Sequence, residues 1–156
     1  MPYQLKNGNL FVEARSNAIL THACNAQGRW GRGIALNFKK LYPSAYKQYQ
    51  DFCGEPATKQ ICGRTFIANS TSPIGCMITS WHWSPHDPQE TILANTLKAA
   101  IDLIEQTTEK YPGYEIHSCK INAGLFGVPW ALTESAIKKA LAETGNKVDW
   151  VVWGFG

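Results

Sequence analysis

The stretch that decides the fold of this chain is His22-Ala-Cys-Asn-Ala-Gln-Gly-Arg-Trp-Gly-Arg-Gly-Ile-Ala35. An apolar run, Ala18-Ile19-Leu20, precedes it, and a helical pattern follows, with Ile34, Phe38 and Leu41 on one face. The stretch is therefore predicted to be a strand-to-helix turn. Its glycines allow the backbone to approach a ligand closely, and amides at the start of a helix favour an anion. The pattern predicts a cradle for an anionic group such as phosphate.

Two known phosphate-binding fingerprints are absent from this turn. The spacing of Gly28, Gly31 and Gly33 differs from G-x-G-x-x-G, and no acidic residue follows about twenty positions later in a ribose-binding context. The Gly-Lys-Ser or Gly-Lys-Thr of a Walker loop is also missing. Because a tight connection without a ligand also uses glycine, the turn alone leaves the identity of the ligand open.

Length and composition predict one domain over residues 1–156, with 44% hydrophobic residues to form its core. The net charge of +3 is mild and the basic residues are scattered, so nucleic acid binding is not favoured. The five cysteines form no Cys-x-x-Cys pair, which predicts reduced thiols, no zinc and a cytoplasmic location, with nuclear entry left open. No run approaches the ~20 apolar residues of a membrane span, so no membrane partner is expected.

Hydrophobic periodicity predicts strands that alternate with helices. The predicted strands cover residues 3–5, 10–12, a segment ending at 22, and then 61–69, 75–80, 114–121 and 148–153. Helices are predicted after Gly33, from Pro43, after Asp87 and from about residue 133. Asp87 is expected to be an N-cap, with Pro88 at the first helical position and Glu90 in a capping box. This alternation predicts an α/β fold with a largely parallel sheet.

A second Gly-rich turn, Asn122-Ala-Gly-Leu-Phe-Gly-Val-Pro-Trp130, follows the strand predicted for residues 114–121. Ligands of such sheets bind outside the carboxyl ends of the strands. Both Gly-rich turns are therefore expected at the same edge of the sheet, where they would face one ligand.

The two turns, in this order, resemble those of the macrodomain family, and most closely its yeast-type ADP-ribose 1″-phosphate phosphatase branch. The likeness rests on His22-Ala-Cys-Asn25, on Gly28-x-Trp30-Gly31-x-Gly33-Ile34-Ala35 and on the run from Ile121 to Trp130. It extends from about Gly8 to the C-terminus. The resemblance implies a single macrodomain, with a mixed, largely parallel sheet between helices and a cleft for small-molecule ADP-ribose derivatives.

The resemblance also implies which residues bind the substrate. Both turns would clamp the diphosphate through backbone amides, and Phe126 would pack beside the distal ribose. Residues 8–10 would recognise adenine, although Asn9 replaces the usual acid and so lacks charge assistance. Trp153 and Phe155 would stack on adenine, unless they are core residues. The expected binding residues are Gly8, Asn9, Leu10, Gly31, Arg32, Gly33, Ile34, Ala35, Ala123, Gly124, Leu125, Phe126, Gly127, Trp153 and Phe155.

The chemistry expected is hydrolysis of a phosphate monoester without metal or cofactor, since no Asp-x-Asp, Cys-x₅-Arg or carboxylate and histidine cluster occurs at ligand spacing. His22 is the first candidate for general acid or phosphate ligand, because imidazole titrates near neutral pH; the alternative is a structural histidine. His86 is the second, because it matches a histidine of the branch. Asn25 matches an asparagine that contacts the distal ribose. Asp87 would orient His86 or act as a base, unless it is only an N-cap.

The resemblance leaves two alternatives to the phosphatase. A hydrolase that removes ADP-ribose from proteins is less favoured. That branch carries a lysine base and also an aspartate just after the second Gly-rich turn, and here Pro129-Trp130-Ala131 follows the turn instead of an aspartate. A non-catalytic reader of ADP-ribose is the third hypothesis, and His22 argues against it, since many plain binders carry asparagine there. Arg29 and Arg32 either steer the substrate or are simply solvated, and Cys24 is expected to pack rather than to act as a nucleophile.

Overall fold

The computed structural model describes residues 2–14, 16–83, 87–124 and 126–154. In these ranges the strands are β1 (Tyr3–Asn7), β2 (Ala18–Asn25), β3 (Thr65–Ala68), β4 (Ile74–Ser80), β5 (Glu115–Ser118) and β6 (Trp150–Gly154). They form one sheet in the order β1-β6-β5-β2-β4-β3. Every neighbouring pair is parallel except β3 and β4, which are antiparallel. The prediction of an α/β fold with a mixed, largely parallel sheet is confirmed.

The helices are α1 (Leu10–Glu13), α2 (Gly33–Leu41), α3 (Pro43–Cys53), α4 (Gln89–Lys110) and α5 (Trp130–Glu143), with a short 3-10 helix over Lys59–Ile61. Helices α1, α2 and α3 pack on one face of the sheet, and α4 and α5 on the other. The molecule is thus a three-layer sandwich with a core on each side of the sheet. No helix in the described part of the chain has the length and apolar character needed to cross a bilayer.

Strand β2 shows why the sheet lies in the middle. Its side chains alternate, so that Leu20 and Cys24 belong to the core under α2 and α3, whereas Ile19 belongs to the core under α4 and α5. Every residue of the neighbouring strand β4 is buried. Central parallel strands covered on both faces are apolar nearly throughout, which explains the continuous hydrophobic run that preceded the first turn.

Several predicted boundaries are wrong. Residues 10–12 form α1 rather than a strand, because the Asn9 side chain caps the turn by accepting a hydrogen bond from the amide of Phe11. Strand β2 continues past His22 to Asn25, since it pairs with β4 over that length. Ile61 lies in the 3-10 helix, and β3 begins only at Thr65.

The two Gly-rich turns emerge next to each other. Strands β2 and β5 are adjacent and parallel, with Ala18 opposite Glu115 and Thr21 opposite Ser118. The chain therefore leaves both strands at the same edge of the sheet, as predicted. This edge carries the candidate site.

Candidate active site

A cavity of about 490 Å³ lies at this edge. Its lining comes from the end of β2, the start of α2, helix α3, the segment after β4 and the turn after β5. The described lining residues are Ala23, Cys24, Asn25, Arg29, Trp30, Gly31, Arg32, Gly33, Ile34, Ala35, Tyr46, Trp83, Cys119, Lys120, Ile121, Asn122, Gly124 and Phe126. The two Gly-rich turns thus face one space, which has the size of a small-molecule site.

The first turn, residues 25–33, is folded around the side chain of Asn25. Its Oδ1 accepts hydrogen bonds from the amides of Gln27 and Arg29, at 3.0 and 3.2 Å, and its Nδ2 donates to the carbonyl of Arg29 at 2.7 Å. These bonds satisfy backbone groups beyond Asn25, where the pairing of β2 with its neighbouring strands ends. In this structure Asn25 shapes the turn and also lines the cavity.

Side chains of helix α3 donate hydrogen bonds to backbone carbonyls of the same turn. The Tyr49 hydroxyl donates to the backbone carbonyl of Asn25 at 2.5 Å, and the side chains of Tyr46 and Gln50 both donate to the carbonyl of Gly28 at 3.2 Å. Burial raises the pKa of Tyr49 well above its ordinary value, so its hydroxyl stays protonated and remains a donor. Aromatic residues of α3 therefore fix the turn whose glycines approach the ligand.

The start of α2 presents unused backbone donors to the cavity. Within the described residues, the amides of Gly33, Ile34 and Ala35 have no acceptor in the protein, and the first bonded amide is that of Leu36, which donates to Arg32. A Cβ built at Gly31 or Gly33 meets no atom within 4 Å, and Gly33 has a φ of +59°, which favours glycine. Backbone amides without a protein acceptor that line a cavity form a site for an anionic group.

The second turn, residues 122–128, is organised by another asparagine. Asn122 is 4% exposed and has a φ of +64°. Its Oδ1 accepts from the Thr79 hydroxyl at 3.0 Å, and its Nδ2 donates to the hydroxyls of Thr96 at 2.8 Å and Thr133 at 3.4 Å. One side chain thus ties the turn to β4, α4 and α5. Sequence analysis missed this role, because the three threonines are distant in the chain.

The backbone of the second turn closes on itself. Val128 donates to the carbonyl of Asn122 at 2.9 Å and Gly127 to that of Gly124 at 3.0 Å, while the amide of Ala123 bonds to Lys120 at 3.3 Å. The predicted amide contacts of Ala123 and Gly127 to the diphosphate therefore compete with bonds inside the turn. Gly124 and Phe126 line the cavity, and Leu125 lies outside the described residues.

The cavity is electropositive. Arg29, Arg32 and Lys120 line it, and no aspartate or glutamate is among its described lining residues. Lys120 lies at the end near β6, where its Cε would be 2.8 Å from a Cβ at Gly154. The arginines lie at the other end, beside Trp83. Trp83 and Lys120 were not predicted to be site residues, since neither belongs to the two motifs.

His22 lies in the interior rather than on the cavity. It is fully buried, with its ring stacked on Phe38 at a centroid distance of 4.1 Å and in edge contact with Trp30 at 4.8 Å. It shares a face of β2 with Cys24, whose Sγ is 3.6 Å from its Nε2. This position corresponds to the structural alternative. The catalytic role of His22 stays a prediction that no contact with the cavity supports.

The buried group beneath the cavity could in principle hold a soft metal ion. The ligand atoms of His22, Cys24 and Cys76 all lie within 4.8 Å of one another. However, burial and the neighbouring Cys76 thiol raise the pKa of Cys24 well above its ordinary value, although nearby His22 lowers it. Without a metal ion the Cys24 thiol is therefore protonated, which makes it a poor nucleophile.

Asp87 does not cap α4, which corrects the sequence prediction. The helix begins at Gln89 with Pro88 at the N-cap, and no side chain bonds to its first turn. The Asp87 carboxylate instead accepts hydrogen bonds from the amide of Trp81 at 2.7 Å and from the imidazole of His82. It therefore holds the segment after β4 in place. His86, the second predicted acid, lies outside the described residues.

The predicted adenine end lies around β1 and β6. Gly8 contacts the Trp153 ring so closely that an added Cβ would lie 3.1 Å from it. The Trp153 indole donates to Nδ1 of His117 at 2.9 Å, and Lys6 lies 5.7 Å from the ring centroid. Trp153 is half-buried and does not line the cavity, and the side-chain oxygen of Asn9 is used in capping α1. Leu10 is buried in the core, and Phe155 is not among the described residues.

Fold and site together define an α/β domain with an anion-binding cavity at the carboxyl ends of its parallel strands. Residues 21–137 match the model of the Macro domain. The chain therefore belongs to the macrodomain family.

Several curated relatives share one name. The ADP-ribose 1''-phosphate phosphatase of Candida albicans is 37% identical over 149 residues, covering 87% of this chain and 92% of the relative. The protein of the same name from Chaetomium globosum is 33% identical over 150 residues, covering 85% and 80%. Among solved structures, the macrodomain of Mycobacterium tuberculosis DarG superposes with a TM-score of 0.78 at 25% identity, over 97% of this chain and 96% of that one.

Proposed function

We propose that this chain is an ADP-ribose 1″-phosphate phosphatase, a phosphoric monoester hydrolase that converts its substrate to ADP-ribose and inorganic phosphate. The observation that carries the proposal is the character of the cavity: open amides at the start of α2, three side-chain cations and no acidic residue in the described lining. The shared name of the curated relatives supports the same substrate.

The charges of the cavity match those of this substrate. A diphosphate carries two negative charges, and a phosphate monoester adds about 1.5 to 2 more at pH 7. The amides of Gly33, Ile34 and Ala35 suit one such group, because the start of a helix carries a partial positive charge. Arg29, Arg32 and Lys120 line the same cavity and supply full positive charges for the remaining negative charge of the substrate.

The reaction forms one bond from a water oxygen to phosphorus and breaks the bond between phosphorus and the anomeric oxygen of the distal ribose. That oxygen takes a proton and becomes a hydroxyl, and inorganic phosphate leaves. Phosphoryl transfer of this kind depends mainly on positioning and on stabilising charge on the phosphoryl oxygens. Guanidinium groups and fixed backbone amides provide both.

The leaving oxygen of the distal ribose needs a proton donor. Of the predicted catalytic residues, Asn25 is occupied with its own turn. His22 does not itself line the cavity and is buried behind the lining residues Cys24 and Trp30, and Asp87 is held by Trp81 and His82. His86 follows the segment that brings Trp83 to the cavity. We therefore assign proton transfer to His86, and to His22 a structural role.

The test is phosphorus NMR of the purified protein with ADP-ribose 1″-phosphate and a chelator. We expect inorganic phosphate and ADP-ribose to appear. His86→Ala should lower kcat, whereas His22→Phe, which keeps an aromatic ring against Phe38, should change kcat less than about threefold. His22→Ala should instead lower the free energy of unfolding by about 3 kcal/mol, because it leaves a cavity. Binding of the substrate without turnover by the wild type would contradict the proposal.

A further inference from the structure

Two arginines and a tryptophan form a cluster at the exposed end of the cavity. The Cζ atoms of Arg29 and Arg32 lie 5.7 and 5.9 Å from the centroid of the Trp83 ring. All three residues line the cavity and are exposed, whereas Asn25 and Asn122 at its floor are buried. The arginines belong to the first turn and the tryptophan to the segment after β4, so the cluster bridges the cavity mouth.

The two guanidiniums have no anionic partner among the described residues. In the part of the chain that the structure describes, no carboxylate pairs with Arg29 or Arg32, and neither side chain donates a hydrogen bond. Two cations on one short turn repel each other, and the face of an indole offsets only a part of that repulsion. As far as the described residues go, the ten N–H donors of the two guanidiniums have no protein acceptor and can bind a ligand.

The cluster is separate from the open amides of α2. Those amides belong to the backbone of residues 33–35, whereas the guanidiniums extend toward Trp83 on the β4 side of the cavity. Lys120 lies on the opposite side, next to the end of β6. An anion bound by the amides therefore leaves the arginines free to bind a second anionic group of the same ligand.

We propose that Arg29 and Arg32, positioned by Trp83, form a second anion subsite that binds the terminal phosphate monoester of the substrate. This inference rests on the proposed function and adds to it the residues that distinguish the substrate from its product. A dianionic monoester offers several oxygens to the planar forks of two guanidiniums, whereas the hydroxyl left after hydrolysis offers no charge. The subsite therefore favours ADP-ribose 1″-phosphate over ADP-ribose.

The experiment compares a ligand with and without the terminal phosphate. In Arg29→Gln and Arg32→Gln we expect the KM for ADP-ribose 1″-phosphate to rise about tenfold each, and about a hundredfold in the double variant. The Kd for ADP-ribose, measured by calorimetry, should change less than about twofold. Arg64→Gln is the matched control, because Arg64 lies 5.2 Å from the Phe52 ring but does not line the cavity.

Trp83 is tested as a positioning residue. Trp83→Leu should raise KM for ADP-ribose 1″-phosphate about threefold with kcat nearly unchanged, and Trp83→Phe should restore most of the loss, because a phenyl face also attracts a guanidinium. Equal changes in KM and in the Kd for ADP-ribose, or no change in KM, would overturn the subsite.

The result stays interpretable if the wild type releases no phosphate. In that case the proposed function fails, and calorimetry gives the Kd of ADP-ribose 1″-phosphate itself in the same variants. Selective weakening of that Kd by Arg29→Gln and Arg32→Gln would support the anion subsite, and equal weakening for both ligands would overturn it.

Discussion

The two Gly-rich turns of this macrodomain are both built around a buried asparagine, but the two side chains bind to different parts of the molecule. Asn25 bonds to the backbone of its own turn and to Tyr49. Asn122 bonds to threonines of β4, α4 and α5. The asparagine of the first turn thus bonds mainly within its own turn, which α3 supports, whereas the asparagine of the second turn bonds to three other elements. We expect damage to the first to affect mainly the ligand, and damage to the second to affect mainly the fold.

The largest expected effect on ligand binding comes from Gly33, at the end of the first turn and the start of α2. Gly33→Val forces a β-branched residue into the left-handed region, at a cost of about 1–2 kcal/mol, and places its side chain in the cavity. We expect the Kd for ADP-ribose, measured by calorimetry, to rise about a thousandfold, because the side chain occupies the space in front of the open amides.

A matched glycine controls for the strain in this variant. Gly113 also has a positive φ and open space around it, but it lies in the turn after α4 and does not line the cavity. Gly113→Val should lower the free energy of unfolding by a similar amount and leave the Kd unchanged. If both variants weakened binding equally, the amides of α2 would not hold the ligand.

The second turn should respond to Asn122→Ala with a loss of stability. Removal of this side chain leaves the buried hydroxyls of Thr79, Thr96 and Thr133 with fewer partners, and alanine at a φ of +64° is strained. We expect the free energy of unfolding in urea to fall by about 3 kcal/mol. A fall below about 1 kcal/mol would show that the network does not anchor the turn.

In the first turn, Asn25→Ala should weaken ligand binding more than it lowers the stability of the fold. The lost bonds run to a partly solvated turn, where water replaces them, so the free energy of unfolding should fall by only about 1–2 kcal/mol. The Kd for ADP-ribose should rise about thirtyfold, since the amides lose their fixed geometry. For each variant, the loss of binding free energy is divided by the loss of unfolding free energy in the same buffer. This ratio should be larger for Asn25→Ala than for Asn122→Ala.

This difference also explains what the sequence could predict. Helix α2 and the Pro43 start of α3 depend on nearby residues, and their prediction is confirmed. The first turn was also predicted, although its strand ends at Asn25 rather than at His22 and its support from α3 was not predicted. The network of Asn122 joins residues 43, 26 and 11 positions apart, and no local pattern predicts it. Its one local signal is asparagine, a residue that tolerates positive φ, before Ala-Gly.

The prediction that Asp87 is an N-cap is wrong, and the catalytic role predicted for His22 stays unsupported. Both outcomes have physical reasons. The sequence predicts that the strand containing His22 ends at this residue, which would place His22 beside the ligand. Because β2 runs three residues further, the alternation of side chains places His22 on the same face as Leu20 and Cys24, inside the core. Asp87 before a proline resembles an N-cap, but its carboxylate binds Trp81 and His82 in the preceding loop.

The smallest expected effect concerns Asp87. Its carboxylate titrates, whereas the amide side chains of Asn25 and Asn122 do not. Burial raises the pKa of Asp87, but hydrogen bonds from His82 and Trp81 outweigh it and leave the pKa below its ordinary 3.8. A carboxylate with a lowered pKa in the folded state stabilises that state above its unfolded pKa, and the contribution disappears as the pH falls through the folded value. Asp87→Asn should therefore lower the free energy of unfolding by about 1 kcal/mol near neutral pH.

That difference should shrink to nothing as the pH falls below 3.8, when urea unfolding of wild type and variant is compared at each pH. The differences caused by Asn25→Ala and Asn122→Ala should stay constant over the same range, because amide side chains do not titrate. A constant difference for Asp87→Asn would mean that its carboxylate holds the loop by shape rather than by charge. In that case the loop that carries Trp83 would be anchored in the same manner as the two Gly-rich turns.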